Sequence, residues 1–186
     1  MIHGNGREIE VVNEQAFVRV SKTRVERLVR SVLRGEDAGG KGVTLLFTDD
    51  RRIRRYHRVH MGLDSATDVI SFGAGEPAYL GDVVVSAQTA KRRAAEFGVS
   101  ARNEMERYAV HGVLHLLGYR DKGARDYKKM HGRQEKYLKK FTSKPRHSEA
   151  PKGPKNSKIL RAACGGPQDD VKVIGGVRND AVRRWR

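Results

Sequence analysis

The stretch His111-Gly-Val-Leu-His115-Leu-Leu-Gly118-Tyr-Arg-Asp121 constrains this chain more than any other. It is an apolar helical run that carries two histidines four residues apart. Positions i and i+4 share one face of a helix, so both imidazoles can reach one point in space. Gly118 can end the helix in a left-handed conformation and turn the chain back. That turn would carry Asp121 toward the two rings. Two ring nitrogens and one carboxylate oxygen make three metal ligands, with a fourth position left for water, which is the geometry of a catalytic rather than a structural zinc site.

The rest of the chain has to supply a frame for that helix. Residues 7–12 (REIEVV) alternate as a strand does, and 43–47 (VTLLF) is an apolar run short enough for a buried strand. Residues 68–72 (DVISF) and 81–86 (GDVVVS) read as two further strands, joined by a loop with Gly73, Gly75 and Pro77. Helices are predicted over 23–33, with Thr23 and Glu26 as a capping box, and from Asp49 or Asp50 to about His60. Ser86 should cap a helix to Phe97, Ser100 one running through the histidines to Leu117, and a last helix should span 124–141. The order describes one α+β domain over 1–141, with a four-stranded mixed sheet and about five helices, the metal site lying on a late helix and the loop after it.

Composition breaks near residue 142. Four of the five prolines lie beyond it, and 142–186 holds eleven basic against four acidic residues, a net of +7. This part reads as a flexible basic C-terminal extension. With 38 Lys and Arg against 22 Asp and Glu the chain carries +16, so +9 remains on 1–141. Such a charge points to a polyanionic partner, or more blandly to a solubilising surface. The lone Cys164 excludes an intrachain disulfide and fits a reducing compartment. No signal peptide is evident, and no apolar run approaches the roughly 20 residues of a membrane span. A cytoplasmic protein without membrane contact is expected.

Asp121 could instead cap a helix starting near Lys122, and His57, His60 and His131 are substitute ligands that no spacing argument favours. Gly112 is as telling as the histidines. Helical zinc peptidases place a glutamate base there, in H-E-x-x-H, and this chain has none, which disfavours ordinary zinc-peptidase chemistry.

The same residues resemble a known family. HGVLHLLGYRD is similar to the H-G-x-L-H-L-x-G-Y-D-H signature of the YbeY endoribonucleases, metal-dependent RNA maturation factors of bacteria. Residues 67–72 (TDVISF) resemble the family's T-D-V-L-S-F, and 80–86 (LGDVVVS) its L-G-D-I-x-I-S. Met130 and Glu135 fit its M-x-x-x-x-E helix, so that the resemblance covers about 40–140. It implies a single-strand-preferring, metal-dependent endoribonuclease in ribosomal RNA processing, at the 3′ end of the small-subunit species, and in ribosome quality control. The implied cofactor is one divalent ion per chain, Zn2+, held by His111, His115 and Asp121. The implied partners are ribosomal RNA precursors and the small ribosomal subunit. Either water or the RNA 2′-hydroxyl could serve as nucleophile.

Two departures stand out. The family's third ligand is usually histidine, and the carboxylate of Asp121 would make the metal a weaker Lewis acid and shift preference toward harder ions such as manganese. Where many members have a phosphate-serving arginine ahead of T-D-V, this chain has Met61, with Arg58, Arg54 and Arg55 nearby. Arg58 is the candidate phosphate contact; Arg54, Arg55, Lys91, Arg92 and Arg93 are candidate RNA contacts, or else solvated helix faces. Aromatics make up 6% of the chain, too few for an extensive base-stacking platform. The alternatives are a non-catalytic ribosome-assembly factor with a structural metal, or a metallohydrolase for another substrate.

Overall fold

The computed structural model describes residues 8–142; the basic extension beyond, with Cys164, lies outside the described residues. The elements run β1 (Ile9–Asn13), α1 (Lys22–Gly35), β2 (Gly42–Thr48), α2 (Asp50–Met61), β3 (Val69–Gly73), β4 (Tyr79–Ser86), α3 (Ala87–Phe97), α4 (Ala101–Leu116) and α5 (Ala124–Thr142). The fold is α+β, as the pattern predicts. Caps set several of the boundaries: Asp49 accepts from Arg52 N–H at 2.8 Å, Ser86 from Thr89 N–H and Ser100 from Asn103 N–H, each at 3.1 Å. The expected capping box of Thr23 and Glu26 does not form. Helix α1 begins a residue earlier, at Lys22, and its N-cap Ser21 makes no side-chain cap bond.

The sheet order is β1-β2-β4-β3, with β1–β2 and β2–β4 parallel and β3–β4 antiparallel. Both faces are covered, which is why β2 is buried at every residue and reads as an unbroken apolar run. On one face Val43, Leu45, Phe47, Val69, Val83 and Val85 meet α1, α4 and α5. On the other, Leu46, Ile70, Phe72 and Val84 lie under Ile53 and Tyr56 of α2. Helices α2 and α4 therefore occupy opposite faces. Among the described residues no helix is long and apolar enough to cross a membrane.

Ion pairs fix α4 sideways. The Arg24 guanidinium on α1 holds the buried Glu106 carboxylate at 2.5 Å, and Arg107 joins Glu104 at 3.4 Å and Glu135 of α5. The glycine of the L-G-D segment has a steric cause. Gly81 pairs with Gly73 at φ +137, and a Cβ there would lie 1.9 Å from the Phe72 carbonyl oxygen. Gly81→Ala should destabilise the domain by more than about 3 kcal/mol, read as a urea midpoint shift at unchanged slope. A shift within error would mean that β3–β4 tolerates the side chain.

Candidate metal centre

Helix α4 lies on the sheet with its glycine inward. A Cβ on Gly112 would come within 2.4 Å of Val83 Cγ1 and 3.0 Å of Val69 Cγ2. The Ser71 hydroxyl donates to the Gly112 carbonyl at 3.0 Å from the neighbouring strand. The position that bears the base in zinc peptidases is thus sterically closed. One residue back and three forward, His111 and His115 share the helix face that leads toward the loop after α4.

That loop returns as the sequence predicts. Gly118 takes φ +90, its N–H donates to the His115 carbonyl at 2.9 Å, and Tyr119 N–H donates to the Leu114 carbonyl at 3.0 Å. Asp121 then faces the rings. Its Oδ2 lies 3.6 Å from each Nε2, and the two Nε2 atoms are 3.0 Å apart.

The tautomers follow from the outer partners. His115 Nδ1 meets the Tyr119 carbonyl at 3.0 Å, and a carbonyl only accepts, so Nδ1 carries the proton and Nε2 the lone pair. His111 Nδ1 meets Gln134 Oε1 of α5 at 3.0 Å, with the same consequence. Asp121 Oδ2 is buried and has no hydrogen-bond partner. Three electron-rich atoms therefore converge with no proton between them, which a cation in their midst would satisfy. Tetrahedral coordination at 2.0–2.1 Å separates neighbouring ligand atoms by about 3.4 Å, close to the distances seen. The three residues fit a divalent ion. Burial raises the Asp121 pKa, but a proton on the two imidazoles, standing where a cation would, outweighs it and holds the carboxyl well below its usual range. His115 and Asp121 are 3% and 5% exposed and His111 13%, so the cluster reaches solvent past His111.

A second ring of contacts escaped the sequence reading. The Tyr119 hydroxyl donates to Glu36 Oε2 at 2.7 Å and the Tyr137 hydroxyl to Glu36 Oε1 at 2.6 Å, with Arg133 at 3.4 Å. Glu36, at the end of α1, so ties down the loop whose carbonyl orients His115. Burial works against the Glu36 charge; the hydroxyls of Tyr137 and Tyr119 outweigh it, helped by Arg133 and Lys136, and its pKa lies below the ordinary 4.5. Gln134 had a sequence signal: it is a polar residue four after buried Met130, on the stripe that continues to Leu138.

The cationic candidates are not gathered with the ligands. Arg54, Arg55 and Arg58 belong to α2, on the far sheet face. Arg54 forms a two-bond pair with Asp64 at 2.9 and 2.8 Å, and Arg58 lies 3.9 Å from the same carboxylate. Arg92 joins Asp50 at 3.0 Å and Arg93 joins Glu96 at 3.1 Å, whereas Lys91 is exposed on α3.

Comparisons with known proteins agree on one family. The family model described as Endoribonuclease YbeY matches residues 10–142. The chain is 41% identical over 143 residues to Endoribonuclease YbeY of Myxococcus xanthus, covering 73% of this chain and 45% of that protein. It is 38% identical to that of Roseiflexus castenholzii, covering 70% and 89%, and 40% identical to that of Pelotomaculum thermopropionicum, covering 69% and 93%. It thus spans under half of the first relative and about nine-tenths of the other two. The solution structure of TM1509 from Thermotoga maritima superimposes with a TM-score of 0.55 at 25% identity, over 72% of this chain and 88% of that one.

Two outcomes follow from the packing. Gly112→Ala should cost about 1–3 kcal/mol through overpacking against Val83 and Val69 and should weaken metal binding as α4 shifts, both read on one purified variant. Unchanged stability would mean that α4 lies looser than described. Glu36→Gln should cost about 1–2 kcal/mol near neutral pH. Because folding lowers this pKa, the contribution is fully present above 4.5 and is lost as pH falls through the folded value. The gap between wild type and Glu36→Gln should therefore narrow in acid, and a gap independent of pH would contradict the network.

Proposed function

The chain belongs to the YbeY family, and on that premise we propose that it is a metal-dependent endoribonuclease that processes ribosomal RNA. The observation that carries this reading is the convergence of His111 Nε2, His115 Nε2 and Asp121 Oδ2, with both Nδ1 atoms turned to acceptor oxygens. We assign these three as the ligands of one divalent ion, Zn2+ by the donor set, with the carboxylate leaving room for a harder ion such as manganese. Such an ion supplies Lewis-acid activation of the nucleophile and charge neutralisation at the phosphate.

The chain's own residues supply the rest. Tyr119 and Gln134 keep both imidazoles in the Nδ1–H tautomer, and Asp121 is held ionised at neutral pH. Gly112 carries no base, so the metal would activate the nucleophile itself or a base would come from elsewhere; that nucleophile is water or the RNA's own 2′-hydroxyl. Scarce aromatics favour recognition by shape and charge over base identity, and the preference for single strands is what the family resemblance implies. The substrates are precursors of the small-subunit ribosomal RNA near the 3′ end, handled in the cytoplasm, with a role in ribosome quality control. A non-catalytic assembly factor is the weaker reading, because three protein donors leave a fourth coordination position, reached from solvent past His111, that structural sites close.

Purified wild type should cleave a labelled small-subunit 3′ precursor in a metal-dependent manner. His115→Ala should lose at least about 100-fold in rate together with its bound metal. Asp121→Ala should lower metal occupancy, and Asp121→His should retain it. Equal cleavage by wild type and His115→Ala would assign the activity to a contaminating nuclease and remove this support. Full occupancy in Asp121→Ala would reduce Asp121 to a helix cap.

A further inference from the structure

Helix α2 presents an outer face of five arginines. Ile53 and Tyr56 bury against the sheet, while Arg51, Arg52, Arg54, Arg55 and Arg58 are all exposed. Arginines at 51/54, 51/55, 52/55, 54/58 and 55/58 stand three or four apart, the spacings at which like charges on a helix repel. Helix stability alone would favour acid–base pairs at those spacings. Glu14 pairs with Arg52, and Asp64 is shared by Arg54 and Arg58. Arg51 has no ion pair with any described residue. The five side chains line a cleft of about 630 Å3. All five are arginine, whose planar fork matches phosphate oxygens two at a time.

We propose that this face is a second RNA surface, which grips the phosphodiester backbone of a substrate segment other than the one cut. The inference rests on the RNA reading of the metal centre and extends it. Because α2 and α4 cover opposite faces of the sheet, one nucleotide cannot meet both. A substrate that reaches both must extend around the sheet, so the arginines act only on RNA long enough to do so. Binding through backbone charge is independent of base identity and sensitive to salt.

The test uses the full chain carrying His115→Ala, so that RNA is bound without being cut, with and without Arg51→Gln/Arg55→Gln/Arg58→Gln. Affinity is measured for a single strand of about eight nucleotides joined to a long structured precursor, and the same strand alone is the short substrate. The triple substitution should weaken the long RNA at least tenfold and lower the magnitude of its salt slope by about 2–3. Cleavage of the short strand, read as kcat/KM with His115 intact, should change less than twofold on the same triple substitution. The melting temperature should stay level or rise as repulsion is relieved. Should the triple variant melt lower, Arg51→Gln alone gives the same readout, with a slope change of about 1. A loss of short-strand cleavage as large as the loss of long-RNA affinity would move these arginines to the metal cleft, and no loss of long-RNA affinity would leave a solvated face; both outcomes overturn the proposal. If wild type neither binds nor cuts RNA of any length, the RNA reading itself falls and takes this inference with it.

Discussion

The metal centre depends on how closely α4 approaches the sheet. Gly112 leaves no gap against Val69 and Val83, and the Ser71 hydroxyl bonds its carbonyl. With that residue pinned, the helix cannot rotate, and the directions of His111 and His115 are set. The same contact removes the catalytic glutamate that zinc peptidases carry at this position. One steric fact therefore both orients the ligands and narrows the chemistry.

Orientation alone does not make a ligand, because each imidazole must also present a lone pair. The Tyr119 carbonyl and Gln134 Oε1 do this from two different elements, the loop after α4 and α5. Glu36 holds the loop from a third, through Tyr119, and holds α5 through Tyr137. Gly35 permits that approach, since a Cβ there would meet the Tyr137 hydroxyl at 2.4 Å. The cluster of three ligands is thus built by α1, α4, α5 and a loop together, and a cation would balance its charge.

Much of this was legible in the sequence because the signals are local. Alternation marks β1 and short apolar runs mark the other strands, Asp49, Ser86 and Ser100 mark helix starts, and the i, i+4 histidines followed by Gly118 mark the site. The misread start of α1 is also local: Thr23 and Glu26 have the spacing of a capping box, but Ser21 begins the helix first. What escaped is non-local. Glu36 meets Tyr119 and Tyr137 across 83 and 101 residues, and no spacing rule reaches that far. The separation of the arginines on α2 from the histidines also needed the sheet, because a charge count does not say which face a helix covers.

The central claim is that the protein presets both histidines as Nε2 donors toward one point. Nitrogen-15 NMR of the imidazoles, before and after one equivalent of zinc, tests it most directly. The account predicts Nδ1–H tautomers for His111 and His115 in the metal-free protein, and on titration a shift of both Nε2 resonances with the Nδ1 protons retained. Nε2–H tautomers in the free protein, or coordination through Nδ1, would contradict it.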